Sequence, residues 1–141
     1  MGLKFHPAPG TILLCHFEPG FKKPEMIKRR PVVVVSPRLR HRNDLCTVVP
    51  LSTREPDKIC DYHCHMKMAR ALPAPWDSPE MWVKADMLAT VAFHRLHLIG
   101  AGRHPGGNRK YLNIQVETEQ LHAIRQCVLH ALGLSHLTES L

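Results

Sequence analysis

No apolar run in this chain approaches the roughly 20 residues that a membrane-spanning helix requires, so no membrane association is expected. The N-terminal "MGLKFHPAPG" lacks the apolar core of a secretory signal, and His6 breaks the myristoylation pattern after Gly2. A disulfide framework is missing too. The five cysteines, Cys15, Cys46, Cys60, Cys64 and Cys127, are odd in number and irregularly spaced, which reads as reduced thiols in a cytoplasm. Aromatics are scarce: four Phe, two Trp and two Tyr in 141 residues. Any base-stacking surface must therefore come from a few side chains, with Phe21, Tyr62, Trp76 and Trp82 the candidates. There is no internal repeat and no low-complexity linker, so the chain reads as one domain, 1–141, around one core. Acidic residues are outnumbered, 12 against 19 basic, giving a net charge of +7. Such a balance favours an anionic partner, although charge held only for solubility is the plainer alternative.

The positive charge is clustered. In "KRRPVVVVSPRLRHR", residues 28–42, Lys28, Arg29 and Arg30 precede four valines, and Arg38, Arg40 and Arg42 follow them. No acidic residue interrupts the stretch. The unbroken β-branched run at 31–36 predicts a strand buried on both faces. Further strands are expected at 11–17 ("TILLCHF") and 45–51 ("LCTVVPL"), and a more polar one at 61–68. "MWVKADML" (81–88) and "TVAFHRLHLI" (90–99) look extended, the second with room for a helical turn. "LPAPWDSP" (72–79) must be loop, "GAGRHPGGN" (100–108) a turn, and "KYLNIQV" (110–116) a hairpin partner. From Thr118 the apolar positions Leu121, Ile124, Cys127, Val128, Ala131 and Leu132 have helical spacing, with Thr118 as N-cap and Gly133 as the stop.

Four pieces, "PGTILLCHFEPG", "RRPVVVVSPR", "LCTVVPLST" and "WVKADML", resemble in order and spacing the PemK/MazF family of toxin endoribonucleases, over residues 9–99. The resemblance implies a mainly β fold with α: a small SH3-like antiparallel barrel of the PemK/MazF/CcdB type with a C-terminal helix. It implies a homodimer that cuts single-stranded RNA without metal or cofactor, inhibited by an antitoxin protein whose acidic tail covers the site. By position, Arg30 falls on the family's catalytic arginine and Ser52 on its catalytic Thr/Ser, with Thr53 beside it. Asp86 falls on an acidic residue used by some members, and Lys84 on a basic one. Glu25 lies in the loop before the strand, where the family often has Glu-Gln. The chain departs from the pattern at Met26 and Met87, both of which replace glutamine, and in a longer segment from Tyr62 to Trp82.

These residue types suit self-cleavage of RNA. The 2′-hydroxyl attacks the adjacent phosphorus, giving a 2′,3′-cyclic phosphate and a 5′-hydroxyl. The protein must accept a proton, stabilise the phosphorane and protonate the leaving oxygen. Arg30, planar and permanently charged, suits the second task. Ser52 or Thr53 can donate to the same phosphate. Asp86 or Glu25 can take the proton, with His16 and His94 as alternative bases. Lys28, Arg29, Arg38, Arg40, Arg42 and Lys84 are the expected RNA-backbone contacts.

The plainer readings are an ion pair for Arg30, turn-forming hydroxyls at Ser52 and Thr53, and a solvated loop at 38–42. The runner-up function is a catalytically silent barrel that binds nucleic acid or an acidic protein. A third reading places zinc at Cys60, His63, Cys64 and His65. It lacks a second ligand pair, and an extended strand would point the cysteines and histidines to opposite sides.

Overall fold

The structure is a computed structural model that describes residues 3–140. Its strands are β1 (Thr11–His16), β2 (Arg29–Val34), β3 (Leu45–Ser52), β4 (His63–Lys67), β5 (Glu80–Lys84), β6 (Ala89–Ala92), β7 (Leu96–His97), β8 (Ile99–Arg103), β9 (Arg109–Leu112) and β10 (Ile114–Gln115). One long helix, α1 (Thr118–Ala131), follows them. The main sheet runs β10-β1-β2-β3-β5-β4, with β6 also on β3 and β7 also on β1. All its ladders are antiparallel. The mainly β class with a C-terminal helix is as expected. The closed barrel is not: β4 and β10 remain as ends of the ladder. The chain from β6 through the 3-10 turn Phe93–Arg95 to β7 bridges β3 to β1 instead.

The four valines are explained by two cores, one on each face of β2. Val33 joins Ile12, Val49, Leu51, Met81 and Val83 under Ile124 and Cys127 of α1. Val32 and Val34 point the other way, into Leu13, Cys15, Phe17, Val48 and Leu96. A central strand covered on both sides has no polar face to alternate with, hence the continuous run. Each fully buried valine contributes about 1.5–3 kcal/mol through burial.

Several boundaries differ from expectation. The 81–88 segment stops being strand at Lys84 and turns into a 3-10 turn, Ala85–Met87. The expected 100–108 turn is shorter, because β8 extends to Arg103 and pairs with β9 across a register shift between Gly100 and Arg103. Residues 110–116 divide between β9 and β10, and β10 returns to β1. The N-cap is Glu117, not Thr118: Glu117 N–H donates to Gln120 Oε1 at 2.9 Å. Gly133 does stop α1, at φ +75°. Its N–H reaches the His130 carbonyl and the Leu134 N–H reaches that of Leu129. Among the described residues no helix is long and apolar enough to cross a membrane.

Candidate active site at the rim of the second core

Strand alternation decides which side chains face outward. On β5, Met81 and Val83 enter the core under α1, so Glu80, Trp82 and Lys84 face the opposite way. On β4 Met66 is buried inward, leaving His63, His65 and Lys67 outward. On β3 Leu51 is inward and Ser52 outward. On β2 Val33 is inward, and Arg30 shares the side of Val32. The second core reaches β2 and β3 but none of its buried members lies on β4 or β5. The outward residues there stay half-buried or exposed.

Register aligns these side chains. Ser52 stands opposite Trp82, and Trp82 opposite His65. Val32 stands opposite Pro50, so Arg30 and Ser52 come to the same end of β2 and β3. The result is a row, Arg30–Ser52–Trp82–His65, crossing β2, β3, β5 and β4 over roughly 14 Å at the usual strand spacing.

The loop between β1 and β2, residues 18–28, borders the row. Arg30 Nε donates to the Ile27 carbonyl at 3.4 Å, tying the side chain to that loop. Ser52 Oγ accepts from Arg54 N–H at 3.1 Å, the local turn bond of the plainer reading. A hydroxyl used this way still has its proton to donate. Beside the loop lies a cleft of about 500 Å³ lined by Phe17, Phe21, Glu25, Met26, Asp86 and Leu88. It brings together the two candidate proton acceptors, which come from distant parts of the chain. Glu25 Oε1 accepts from Lys22 N–H at 3.0 Å. Asp86 is exposed on the 3-10 turn and not within a strand, because the Ala85 N–H donates to the Tyr62 carbonyl and the Leu88 N–H folds back onto Ala85.

Other candidates lie elsewhere. Thr53 is exposed just past the end of β3. Arg29 pairs across to His16 and, being next to Arg30, faces the other side. Lys28 is exposed at φ +65°, with its carbonyl taking the Phe17 N–H. Arg38, Arg40 and Arg42 occupy the exposed turn at the far end of β2, roughly 20 Å from Arg30 by strand rise. There Arg38 donates to Asn43 Oδ1 at 3.4 Å. His16 stacks on His97 at 4.0 Å, and its pKa is pushed down by burial first, then by His97 and Arg29. His94 is exposed on the turn before β7.

No sequence pattern singles out Arg95. Its Nη1 donates to the carbonyls of His16 (3.2 Å), Phe17 (2.7 Å) and Pro19 (2.8 Å), and its guanidinium lies 5.1 Å from the centre of the Phe21 ring. It therefore fixes the start of the loop that carries Glu25. On sequence alone His65 stands out only as a possible metal ligand. Here it stacks on Trp82 at 4.7 Å, and its Nε2 lies 3.0 Å from Glu80 Oε2.

The zinc reading finds its residues divided. His63 Nδ1 accepts from Cys60 N–H at 3.0 Å, His65 is held by Glu80, and Cys64 packs into the core that holds Cys127 of α1. Among the described residues no group of three or more His, Cys, Asp or Glu is placed to hold a metal ion. Burial pushes the Cys15 and Cys46 thiols up to about 12 and about 11, so neither is a thiolate nucleophile.

The fold class is a mostly antiparallel β domain with a C-terminal helix. The family profile described as PemK-like, MazF-like toxin of type II toxin–antitoxin system matches residues 8–132, and the chain belongs to that family. No curated protein sequence matches it significantly. Among solved structures it is similar to an endoribonuclease in complex with its cognate antitoxin from a Mycobacterial species. The TM-score is 0.61 at 21% identity, covering 91% of this chain and 96% of that one. It is also similar to the Mycobacterium tuberculosis toxin MazF-mt6 (TM-score 0.55, 16% identity, 88% and 97% covered). MazF from Deinococcus radiodurans gives a TM-score of 0.55 at 19% identity, covering 92% and 98%.

Proposed function

We propose that this chain is the toxin endoribonuclease of a type II toxin–antitoxin system, cutting single-stranded RNA by 2′-hydroxyl attack without a metal. The observation that carries the reading is that Arg30 and Ser52 share one end of β2 and β3, and Arg30 bonds the loop whose Glu25 lines a cleft with Asp86. Arg30 forks onto the scissile phosphate and holds the charge of the phosphorane. Ser52 donates its remaining proton to a phosphate oxygen. Asp86 or Glu25 accepts the 2′-hydroxyl proton, and as the P–O5′ bond breaks the departing 5′-oxygen takes a proton from that carboxyl or from water, to which both are exposed. Lys84, on the outward face of β5, adds positive charge for the chain's phosphates. The partners of this reading are single-stranded RNA, an antitoxin protein whose acidic tail lies across the basic rim, and a second copy of the chain as homodimer. Its compartment is the cytoplasm.

The test is cleavage of a long single-stranded RNA in EDTA by wild type, Arg30→Ala and Asp86→Asn, each checked for folding by circular dichroism. Discrete cuts with 2′,3′-cyclic phosphate ends, lost in Arg30→Ala, are the expected result. A folded, antitoxin-free wild type that cuts nothing overturns the reading and leaves the silent binding barrel.

A further inference from the structure

The row that holds Arg30 and Ser52 does not end at Ser52. Its next member, Trp82, is directly opposite Ser52 on the neighbouring strand, one spacing of about 4.8 Å away. Trp82 is half-buried on a face that the second core leaves open. Its environment is built. His65, opposite it on β4, stacks against the indole at 4.7 Å with an interplanar angle of 24°. Glu80, two residues back on the same face of β5, holds His65 Nε2 at 3.0 Å. The indole is thus pinned from the β4 side, while its other neighbour in the row is the small Ser52 side chain. An aromatic surface fixed one strand away from a phosphate site, with a small residue between, is shaped to receive the base of the nucleotide bound there.

We infer that Trp82, backed by His65 and Glu80, is the platform on which a base next to the scissile phosphate stacks. The inference rests on the ribonuclease reading for the phosphate's position. Its occupant is an unpaired RNA base, because stacking on an indole needs a free π-face and tolerates any base. Trp82 touches the substrate; His65 and Glu80 are positioning residues that hold the ring. Trp82 opens the matched "WVKADML" piece, whereas His65 and Glu80, which hold its ring, lie outside the pieces that carry the family resemblance.

Binding is measured apart from cleavage. In a Trp76→Phe background Trp82 is the sole tryptophan. Short 2′-O-methyl oligonucleotides of A, C, G and U lack the attacking hydroxyl and are titrated against its fluorescence and, end-labelled, by anisotropy. Quenching that tracks binding is expected. So is a Kd raised about tenfold or more by Trp82→Ala and largely kept by Trp82→Phe. Binding without quenching, or with Trp82→Ala unchanged, overturns the platform, as does binding of none of the four. Whether wild type cuts RNA in EDTA decides the ribonuclease reading separately. On a cleavable RNA, His65→Ala should raise KM and leave kcat unchanged, and His65→Phe, which keeps a ring on the indole, should restore KM. A kcat lost in both variants overturns the positioning role and makes His65 a proton carrier.

Discussion

Gly20→Ala and Arg95→Ala, made singly and together, test whether one guanidinium holds the loop that carries Glu25. Two of the three Arg95 bonds, to His16 and Phe17, are part-buried, and the third, to Pro19, is exposed and exchanges readily for water. A hydrogen bond from a charged donor is worth about 1.5–3 kcal/mol, so losing the two sheltered ones costs about 3–6 kcal/mol. At about 4 °C per kcal/mol for a domain of this size, Arg95→Ala should lower Tm by roughly 12–24 °C. Gly20 sits at φ +118°, where a residue with a Cβ is strained by about 1–3 kcal/mol. An added Cβ would also stand 2.6 Å from Arg95 Nη2, so the guanidinium must move. It is pinned by its carbonyls, and moving it surrenders at least one bond of about 1.5 kcal/mol.

The two substitutions therefore do not add. Once Arg95 is alanine, the methyl group of Ala at position 20 meets no guanidinium and only the backbone strain remains. The double variant should be more stable than the sum of the singles by about 1.5 kcal/mol, well beyond the roughly 0.5 kcal/mol within which independent sites add. Urea denaturation of the four proteins measures this, and RNA cleavage follows the loop itself. Additivity within that margin, or an Arg95→Ala protein that melts within 2 °C or so of wild type, refutes the reasoning.

Arg30→Ala should lower kcat by about 10²–10³, as expected for removing a donor to developing negative charge, with Arg30→Lys recovering only part because it cannot fork; single-turnover cleavage in EDTA checks both. Leu51 is fully buried between β3 and α1, so Leu51→Ala should cost about 2–5 kcal/mol in denaturant unfolding. The His16 pKa is lowered from 6.5 in the folded chain, so the unfolded chain binds the extra proton. Stability is then full above 6.5 and falls as pH drops below it towards the folded value. His16→Phe should flatten that limb of a Tm-against-pH profile, and an unchanged limb would assign the loss to other groups. The Arg38, Arg40 and Arg42 turn lies far from Arg30, so converting all three to Gln should leave kcat alone. It should reduce the salt slope of single-strand binding by about 2, read by titration at several salt concentrations.

What the sequence made legible was local. β-branched runs bounded by Pro and Gly marked β1, β2 and β3, and the 3.6-residue spacing marked α1. The misplacements share one cause, hydrogen bonds between positions distant in sequence. Asp86 sits in a run with no Gly or Pro, and the turn there forms because Tyr62 offers its carbonyl to Ala85. Gly102 resembled turn residue because of its composition, yet it lies within β8 at φ +87°, where the register shift against β9 calls for a left-handed residue.

The same limit governs the site. Lys28 to Arg42 is one short cluster on paper. A strand stands between its halves, which places Arg30 at one end of the fold and Arg38 to Arg42 at the other. Conversely Ser52, His65 and Trp82 are scattered along the chain, and only the β3-β5-β4 order sets them side by side. The period-2 pattern of "EMWVK" already puts Trp82 on the face opposite Met81 and Val83. What it lacks is the partner strand, and a face becomes a site only when its neighbours are known. The residues that bear the resemblance supply the phosphate chemistry. Strand pairing adds what would hold a base, setting His65 and Glu80 behind Trp82.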